Sequence, residues 1–340
     1  MVSPLIVVDA DVLGRRRTGD ETYVANLLRC LAPLTPAAGL RLAAVTRRPD
    51  LLPDGIEPLE LSTRLQELRM AWSLPRLLRR AGAALVHTQY ALPLRTPCLA
   101  VVTIHDVSFE DAALMGRKDR LVFRSVVPRA ARSAARVLTV SERTKRDLVA
   151  RYGLPPERVV VTPNGVDPAF VPGDGSRDYA LSVGAIQPRK HQLAALEAAR
   201  TAGLPLVVVG PEKDAALAAE LRSRGATVRG YVEQAELVRL LQGAACLVQS
   251  SRHEGFGLPV LEAMACGTPV VAVPEPALVE VAADAAVIVA EADLADGIRR
   301  AVAEREALRA AGIERARDFS WERTAARTLE VYREALNGSS

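Results

Sequence analysis

The chain reads as an α/β protein of two doubly wound parallel-sheet domains, and three observations predict this. Its 340 residues exceed what one hydrophobic core usually fills. Short apolar runs of strand length alternate with amphipathic stretches of helix length along the whole chain, which is the pattern of repeated β–α–β units. A turn-rich break, Thr162-Pro163-Asn164-Gly165-Val166-Asp167-Pro168 followed by Pro172-Gly173-Asp174-Gly175-Ser176, separates two such series. The expected domains are 1–170 and 171–320, with a last helical segment, 321–340.

In the first half, apolar runs predict strands near Leu5–Asp9, Leu40–Val45, Ala84–His87, Leu99–Ile104, Arg136–Val140 and Val159–Thr162. Helical spacing predicts helices near Asp20–Leu31, Gln66–Arg80, Lys118–Ser133 and Glu142–Tyr152. A basic, Gly-bounded loop, Gly14-Arg15-Arg16-Arg17-Thr18-Gly19-Asp20, leads into the first helix, with Thr18 and Glu21 at capping-box spacing. The helix near 118–133 carries Arg117, Lys118, Arg120, Arg124, Arg129 and Arg132 around Leu121, Val122, Val126 and Val127. It is expected to pack its apolar side on the sheet and to kink at Pro128; lying on anionic lipid is the alternative.

Two strand ends in this half carry chemistry. Asp9-Ala10-Asp11 has the D-x-D form that can hold a divalent ion, and the end of a doubly wound strand argues for an ordinary structural role instead. His105-Asp106 closes the strand Ala100–Ile104 at the edge where open parallel sheets hold ligands. On spacing alone, His105 and His87 both read as strand-end histidines satisfied by the backbone. The four His and four Cys show no zinc spacing.

The second half restarts with a strand, Tyr179–Val183, and the loop Gly184-Ala185-Ile186-Gln187-Pro188-Arg189-Lys190. A helix from about His191 would set Arg189 and Lys190 at a helix N-terminus, where an anion is already favoured. Two cations there can neutralise a departing diphosphate, a solvated charged turn being the plain alternative. Strand Leu206–Val209 ends at Gly210-Pro211, and Gly230-Tyr231-Val232 opens a further helix.

The most informative stretch runs from Ser250 to Val273, SSRHEGFGLPVLEAMACGTPVVAV. It follows an apolar run, Ala245 to Val248, crosses Gly255 and Gly257, and enters a helix through Leu258–Pro259. Such a unit presents helix N-terminal N–H groups to a phosphate or sugar. Glu254 and Glu262 lie eight residues apart, close to two helical turns, so a helix carrying both would show them on one face. Acids that accept hydroxyl hydrogen bonds, beside glycines that admit a ligand to the backbone, suit a polyhydroxylated anion such as a sugar nucleotide. Beyond it come a helix near Glu275–Val281, a strand near Ala286–Val289 and a final helix, Trp321 to Leu336.

The string E-G-F-G-L-P-V-L-E-A-M-A-C-G-T-P-V-V-A resembles the signature of glycosyltransferase family 4, the retaining enzymes of GT-B fold, including its E-x7-E spacing. The V-V-T-I-H-D-V-S-F strand end and the Arg189-Lys190 pair are similar to a bacterial mannosyltransferase-like subgroup, the V-x-P-N-G-V-D break is similar to the family's interdomain segment, and all occur in family order. The resemblance implies two Rossmann-like lobes facing a central cleft, a hinge at N-G-V-D, and a last helix crossing back to the first domain. It implies that His105 reaches the donor sugar and that Asp106 approaches the acceptor hydroxyl. Glu254 would hold donor-sugar hydroxyls, Glu262 the ribose hydroxyls, and Arg189 and Lys190 the diphosphate. Backbone at Gly255, Phe256, Gly257 and Leu258 would share the diphosphate charge, Gly184 would line the donor loop, and Tyr231 and Val232 would lie at the nucleobase. Gly19 corresponds to a glycine beside the donor phosphates, although Asp20 and Glu21 stand where many relatives have a further glycine.

The expected activity is transfer of a hexose, with mannose from GDP-mannose as the leading donor, to a glycan, lipid-linked or small-molecule acceptor. A front-face route needing no metal or other cofactor is expected. The alternatives are a non-catalytic sugar-nucleotide binder and another GT-B enzyme, such as an NDP-sugar epimerase or a phosphorylase.

Bulk properties narrow the setting. Residues 1–170 carry 25 basic and 17 acidic side chains, net +8, and residues 171–340 carry 19 and 23, net −4. A basic half suits an acidic partner, which leaves peripheral contact with an anionic membrane open. Nucleic acid is not expected, since no aromatic-studded basic sheet accompanies the charge. Cys30, Cys98, Cys246 and Cys266 are scattered like reduced thiols. No signal peptide or bilayer-length apolar run is visible, so a cytoplasmic protein, at most peripheral on the inner face of the membrane, is expected.

Overall fold

A computed structural model describes residues 3–15, 18–61, 63–111 and 116–338. The chain divides into two compact units, Met1–Gly165 with Trp321–Ser340, and Val166–Ser320.

The first unit is built on seven parallel strands: β1 (Leu5–Asp9), β2 (Arg41–Thr46), β3 (Glu57–Glu60), β4 (Ala83–Gln89), β5 (Leu99–Thr103), β6 (Arg136–Thr139) and β7 (Val159–Val161). Their order is β3-β2-β1-β4-β5-β6-β7, so the winding reverses between β1 and β4. The second unit has β8 (Ala180–Val183), β9 (Leu206–Val209), β10 (Thr227–Gly230), β11 (Cys246–Gln249), β12 (Val270–Ala272) and β13 (Val287–Ile288). Its order is β10-β9-β8-β11-β12-β13, and the reversal falls between β8 and β11. At such a switch point the loops leaving neighbouring strands diverge to opposite faces and open a crevice beyond the strand ends. Both sheets are Rossmann-like, and their central strands are Val- and Leu-rich because helices cover both faces.

The helices follow the periodicity with informative departures. The first runs Thr18–Ala37, starting earlier and ending later than its pattern, and continues through Pro33 and Pro36. Glu21 Oε1 accepts the Gly14 N–H at 2.6 Å, and the Thr18 side chain, the expected cap, lies outside the described set. The helix Arg117–Ser133 runs on through Pro128. Val127, Ala130 and Ala131 on it are fully buried, while Leu121 and Val122, expected on the sheet side, stand exposed. The side chains of Arg16, Arg17, Arg117 and Lys118 lie outside the described set.

The helix Trp321–Asn337 packs against Thr18–Ala37 and belongs to the first unit. Trp321 is its anchor: fully buried, it meets Tyr23 edge to face at 6.1 Å. Its indole N–H finds no acceptor among the described residues. Trp321→Ala should therefore cost about 3–5 kcal/mol in chemical denaturation of the first unit. Trp321→Phe, which keeps most of the volume and loses no hydrogen bond, should cost less than half as much. Equal costs for the two would contradict this role.

Candidate active site

In the second unit the switch point brings together the two loops that carry the charged sequence motifs. After β8, residues Pro188–Lys190 form one 3-10 turn, and the helix Gln192–Thr201 starts only beyond His191. Arg189 and Lys190 thus sit on a turn just ahead of that helix, at its N-terminus as expected. After β11 the chain passes through Ser250–Gly257 before the helix Leu258–Ala265. Glu254 therefore lies in the loop, and only Glu262 lies on the helix. The two carboxylates do not share a helical face.

Glu254 is buried and compensated. Its Oε1 pairs with the Lys190 ammonium and accepts Gln249 Nε2 at 2.7 Å, and its Oε2 stands 3.5 Å from Arg189 Nη1. Burial by itself pushes this carboxyl up; the Lys190 charge, then Arg189, outweigh it and hold Glu254 at about 2. Arg189 also donates to the His253 carbonyl at 2.9 Å, and Ser250 Oγ donates to the Lys190 and His191 carbonyls at 3.1 and 2.9 Å. Removing two cations and an anion from water is costly, so such a cluster at a crevice marks a functional candidate.

Glycine makes this cluster fit. Gly184 has φ +147°, and a Cβ there would stand 3.2 Å from Lys190 Cε, crowding the stem that carries the ammonium. Gly210, at the end of β9, backs directly onto the Gly184 carbonyl, where a Cβ would overlap it. Gly257 has φ +110°, and a Cβ there would meet Leu278 Cδ2 at 2.8 Å. That conformation turns the chain into the helix, and the backbone N–H groups of Gly255, Phe256, Gly257 and Leu258 find no acceptor among the described residues. They form an anion-ready helix start beside Arg189 and Lys190.

Glu262 has the opposite character. Half-buried and without hydrogen bond or ion pair among the described residues, it is pushed up to about 7 by burial and then by the Asp167 carboxylate. Tyr231 and Val232 precede the helix Gln234–Gly243, and Tyr231 is exposed.

In the first unit, the C-terminal strand edge holds the other expected residues. Buried His105 Nε2 lies 3.1 Å from Gln89 Oε1 and 4.0 Å from Asp20 Oδ1, with Tyr23 edge-on at 4.7 Å. Burial lowers its pKa against the pull of Asp20 and Asp106, leaving a neutral imidazole at neutral pH. Asp106 Oδ1 accepts from the Ser108 N–H and hydroxyl at 2.9 and 2.7 Å, which orders the turn after β5. His87 is a core residue: Tyr332 and Thr103 hydroxyls meet its two ring nitrogens at 2.5 and 2.7 Å, and burial lowers it to about 3. Gly19 lies in the first turn of Thr18–Ala37, and a Cβ there would meet nothing within 4 Å. Asp9 and Asp11 belong to an arginine cluster: Asp9 is held by Arg69 through two hydrogen bonds, 2.5 and 2.9 Å, and Asp11 by Arg47 at 2.7 Å and by Arg15.

Gln249, Gly210 and Asp167 were not foreseen as site residues. Gln249 alone left a signal, a polar residue ending an otherwise apolar strand.

A family model described as Glycosyltransferase Family 4 matches residues 17–170, and one described as Glycosyl transferases group 1 matches 169–319. The chain is 31% identical over 327 residues to the O-antigen chain mannosyltransferase B of Escherichia coli, covering 86% of this chain and 83% of that protein. The chain belongs to glycosyltransferase family 4. As a family 4 member it is a transferase of GT-B fold, similar to the mannosyltransferase-like subgroup. Its fold matches the sucrose-phosphate synthase of Thermosynechococcus elongatus with a TM-score of 0.78 at 20% identity, covering 99% and 100% of the two chains. It also matches the Anabaena protein HepE, solved in complex with UDP-glucose, with a TM-score of 0.76 at 15% identity, covering 97% and 99%.

Two predictions follow for this family 4 enzyme. The fold favours protonated Glu262, so the stability it contributes is complete below the ordinary value of 4.5 and is lost as pH rises through about 7. Glu262→Gln should thus be more stable than the natural protein at pH 8, on the order of 2 kcal/mol, and equal to it near pH 5. A gain that persists at low pH would contradict the assignment. Gln249→Leu should leave Glu254 with one donor fewer and lower kcat about tenfold. Its KM for donor should change less, and unchanged kcat would remove Gln249 from the site.

Proposed function

We propose that this glycosyltransferase moves a hexosyl group, mannose first among candidates, from a nucleoside-diphosphate sugar to an acceptor hydroxyl with retention and without a metal. The observation that carries the proposal is the Lys190–Glu254–Arg189 cluster beside the unpartnered N–H groups of residues 255–258. A diphosphate laid on that helix start meets two cations and four donors, so charge developing on the leaving group is stabilised where it appears. Glu254 is ionised at all working pH values and acts as an acceptor for sugar hydroxyls rather than as a general acid. Glu262 offers its unpartnered carboxyl to the ribose hydroxyls, with Gly184 in the donor loop and Tyr231 and Val232 at the base. Within the same proposal, His105 orients the donor sugar, Asp106 addresses the acceptor hydroxyl, and Gly19 lies near the donor phosphates.

Retention fits a front-face route. The anomeric carbon loses its diphosphate while the acceptor oxygen attacks on the same side, and the leaving phosphate oxygen takes the acceptor's proton. A double displacement needs a carboxylate nucleophile under the sugar, and the ion-paired Glu254 is poorly suited to that. Mannose is supported by the identity to an O-antigen chain mannosyltransferase, and a nucleotide-sugar donor by the fold shared with a UDP-glucose complex. The same relative supports a glycan-chain acceptor.

The test is to incubate the purified protein with a panel of nucleotide sugars, GDP-mannose first, with and without EDTA, and to measure nucleoside diphosphate release. Release from one donor, unaffected by EDTA and lowered at least about a thousandfold by Glu254→Ala, is expected. Release that requires a divalent ion overturns the metal-free route. Binding without release with every acceptor tried identifies a non-catalytic binder.

A further inference from the structure

We propose that the first unit docks on an anionic membrane through the exposed face of the segment 64–81, helical from Gln66, at the edge of the sheet where His105 and Asp106 lie. The segment comprises Gln66–Leu68, a π-turn Arg69–Ser73 and Leu74–Ala81 in unbroken succession. Its inner face is secured by Leu74, Pro75, Leu78 and the buried Arg69. Arg69 holds Asp9, the last residue of β1, so the start of the segment lies at the C-terminal edge of the sheet.

The outer face is apolar where a water-facing helix should be polar. Leu68 and Trp72, about one turn apart, are 51% and 59% exposed, and Leu65, extended just ahead of the first turn, is 63% exposed. Arg76 continues the stripe with its guanidinium 5.1 Å from the Trp72 ring, and Arg76, Arg79 and Arg80 line one shallow hollow. None of Arg64, Arg76, Arg79 and Arg80 forms an ion pair among the described residues, and Glu67 is the one acidic residue between 64 and 80. A short apolar ridge with an aromatic, flanked by uncompensated arginines, is what an anionic lipid interface takes: the ridge enters the acyl boundary and the guanidinium groups meet the headgroups. The other exposed apolar pair, Leu121 and Val122, lies beside Arg124, whose charge is taken by Glu110 at 3.1 Å. No helix among the described residues is long and apolar enough to cross a bilayer, so the contact is peripheral. Docking stands apart from the proposed activity; only its consequence, delivery of a membrane-held acceptor to the His105 edge, rests on that reading.

The chain has two tryptophans, and Trp321 is fully buried, so Trp72 reports the contact. With the full chain, Trp emission should shift to the blue on phosphatidylcholine vesicles containing phosphatidylglycerol. It should not shift on phosphatidylcholine alone, and salt should reverse the shift. In co-sedimentation, Arg76→Gln/Arg79→Gln/Arg80→Gln should weaken partition into the anionic vesicles about a hundredfold. Leu68→Ser/Trp72→Ser should abolish partition while leaving nucleoside diphosphate release in lipid-free buffer unchanged. No binding by the natural protein, or undiminished binding by both variants, overturns the proposal. So does a lipid-free dimer that Leu68→Ser/Trp72→Ser converts to monomer without any vesicle binding, which would make the face a self-association surface. Loss of diphosphate release in the natural protein, with vesicle binding intact, would count against the proposed activity and not against docking.

Discussion

The buried contact between Lys190 and Glu254 is the interaction on which the donor-side architecture depends. An ammonium and a carboxylate taken out of water are tolerated only if each neutralises the other and their remaining valences are met. Gln249 meets one, Arg189 adds a second charge, Gly184 makes room for the lysine stem, and Gly210 leaves space for the Gly184 carbonyl. The sheet supplies the rest. Reversal of winding between β8 and β11 delivers the two loops to one crevice, and no other pair of adjacent strands in that unit could do so.

The first unit solves a different problem. Its strand edge presents a neutral His105 held by Gln89 and by the Tyr23 ring, above a dry layer in which His87, Thr103, Tyr23 and Tyr332 satisfy one another. That layer explains why the two histidines differ, His87 lying inside β4 rather than at its end and His105 just beyond β5. His87 spends both nitrogens on core hydroxyls, whereas His105 keeps an edge position. Asp9 and Asp11, which resemble a metal motif in the sequence, instead tie three arginines to the end of β1. One of these, Arg69, fixes the segment whose outer face carries the exposed Leu–Trp ridge.

Much of the fold was legible because buried parallel strands must be apolar. Leu5–Asp9, Leu206–Val209 and the helix Glu142–Tyr152 appear at the bounds their patterns predict. The edge strands Glu57–Glu60 and Thr227–Gly230 escaped notice, since a strand paired on one side and exposed on the other needs no apolar run. The first helix runs past its expected end at Leu31, through Pro33 and Pro36 to Ala37. At the site, charged and glycine residues in the two loops were found from spacing and family resemblance. Gln249, Gly210 and Asp167 act through tertiary contact, 5, 26 and 95 positions from the residues they face, and local pattern carries no record of such distances. The helical-face reading of Glu254 and Glu262 failed for the same reason. Gly257 turns the chain between them, and they end with opposite protonation behaviour.

In the proposed reaction Lys190 and Arg189, poised by Glu254, receive the donor's diphosphate. Calorimetric titration with GDP and with guanosine, on the natural protein and on Lys190→Met, measures this directly. The natural protein should bind the diphosphate at least about a hundredfold more tightly than the nucleoside, and Lys190→Met should erase most of that difference while leaving nucleoside affinity unchanged. A diphosphate preference that survives Lys190→Met would contradict the account.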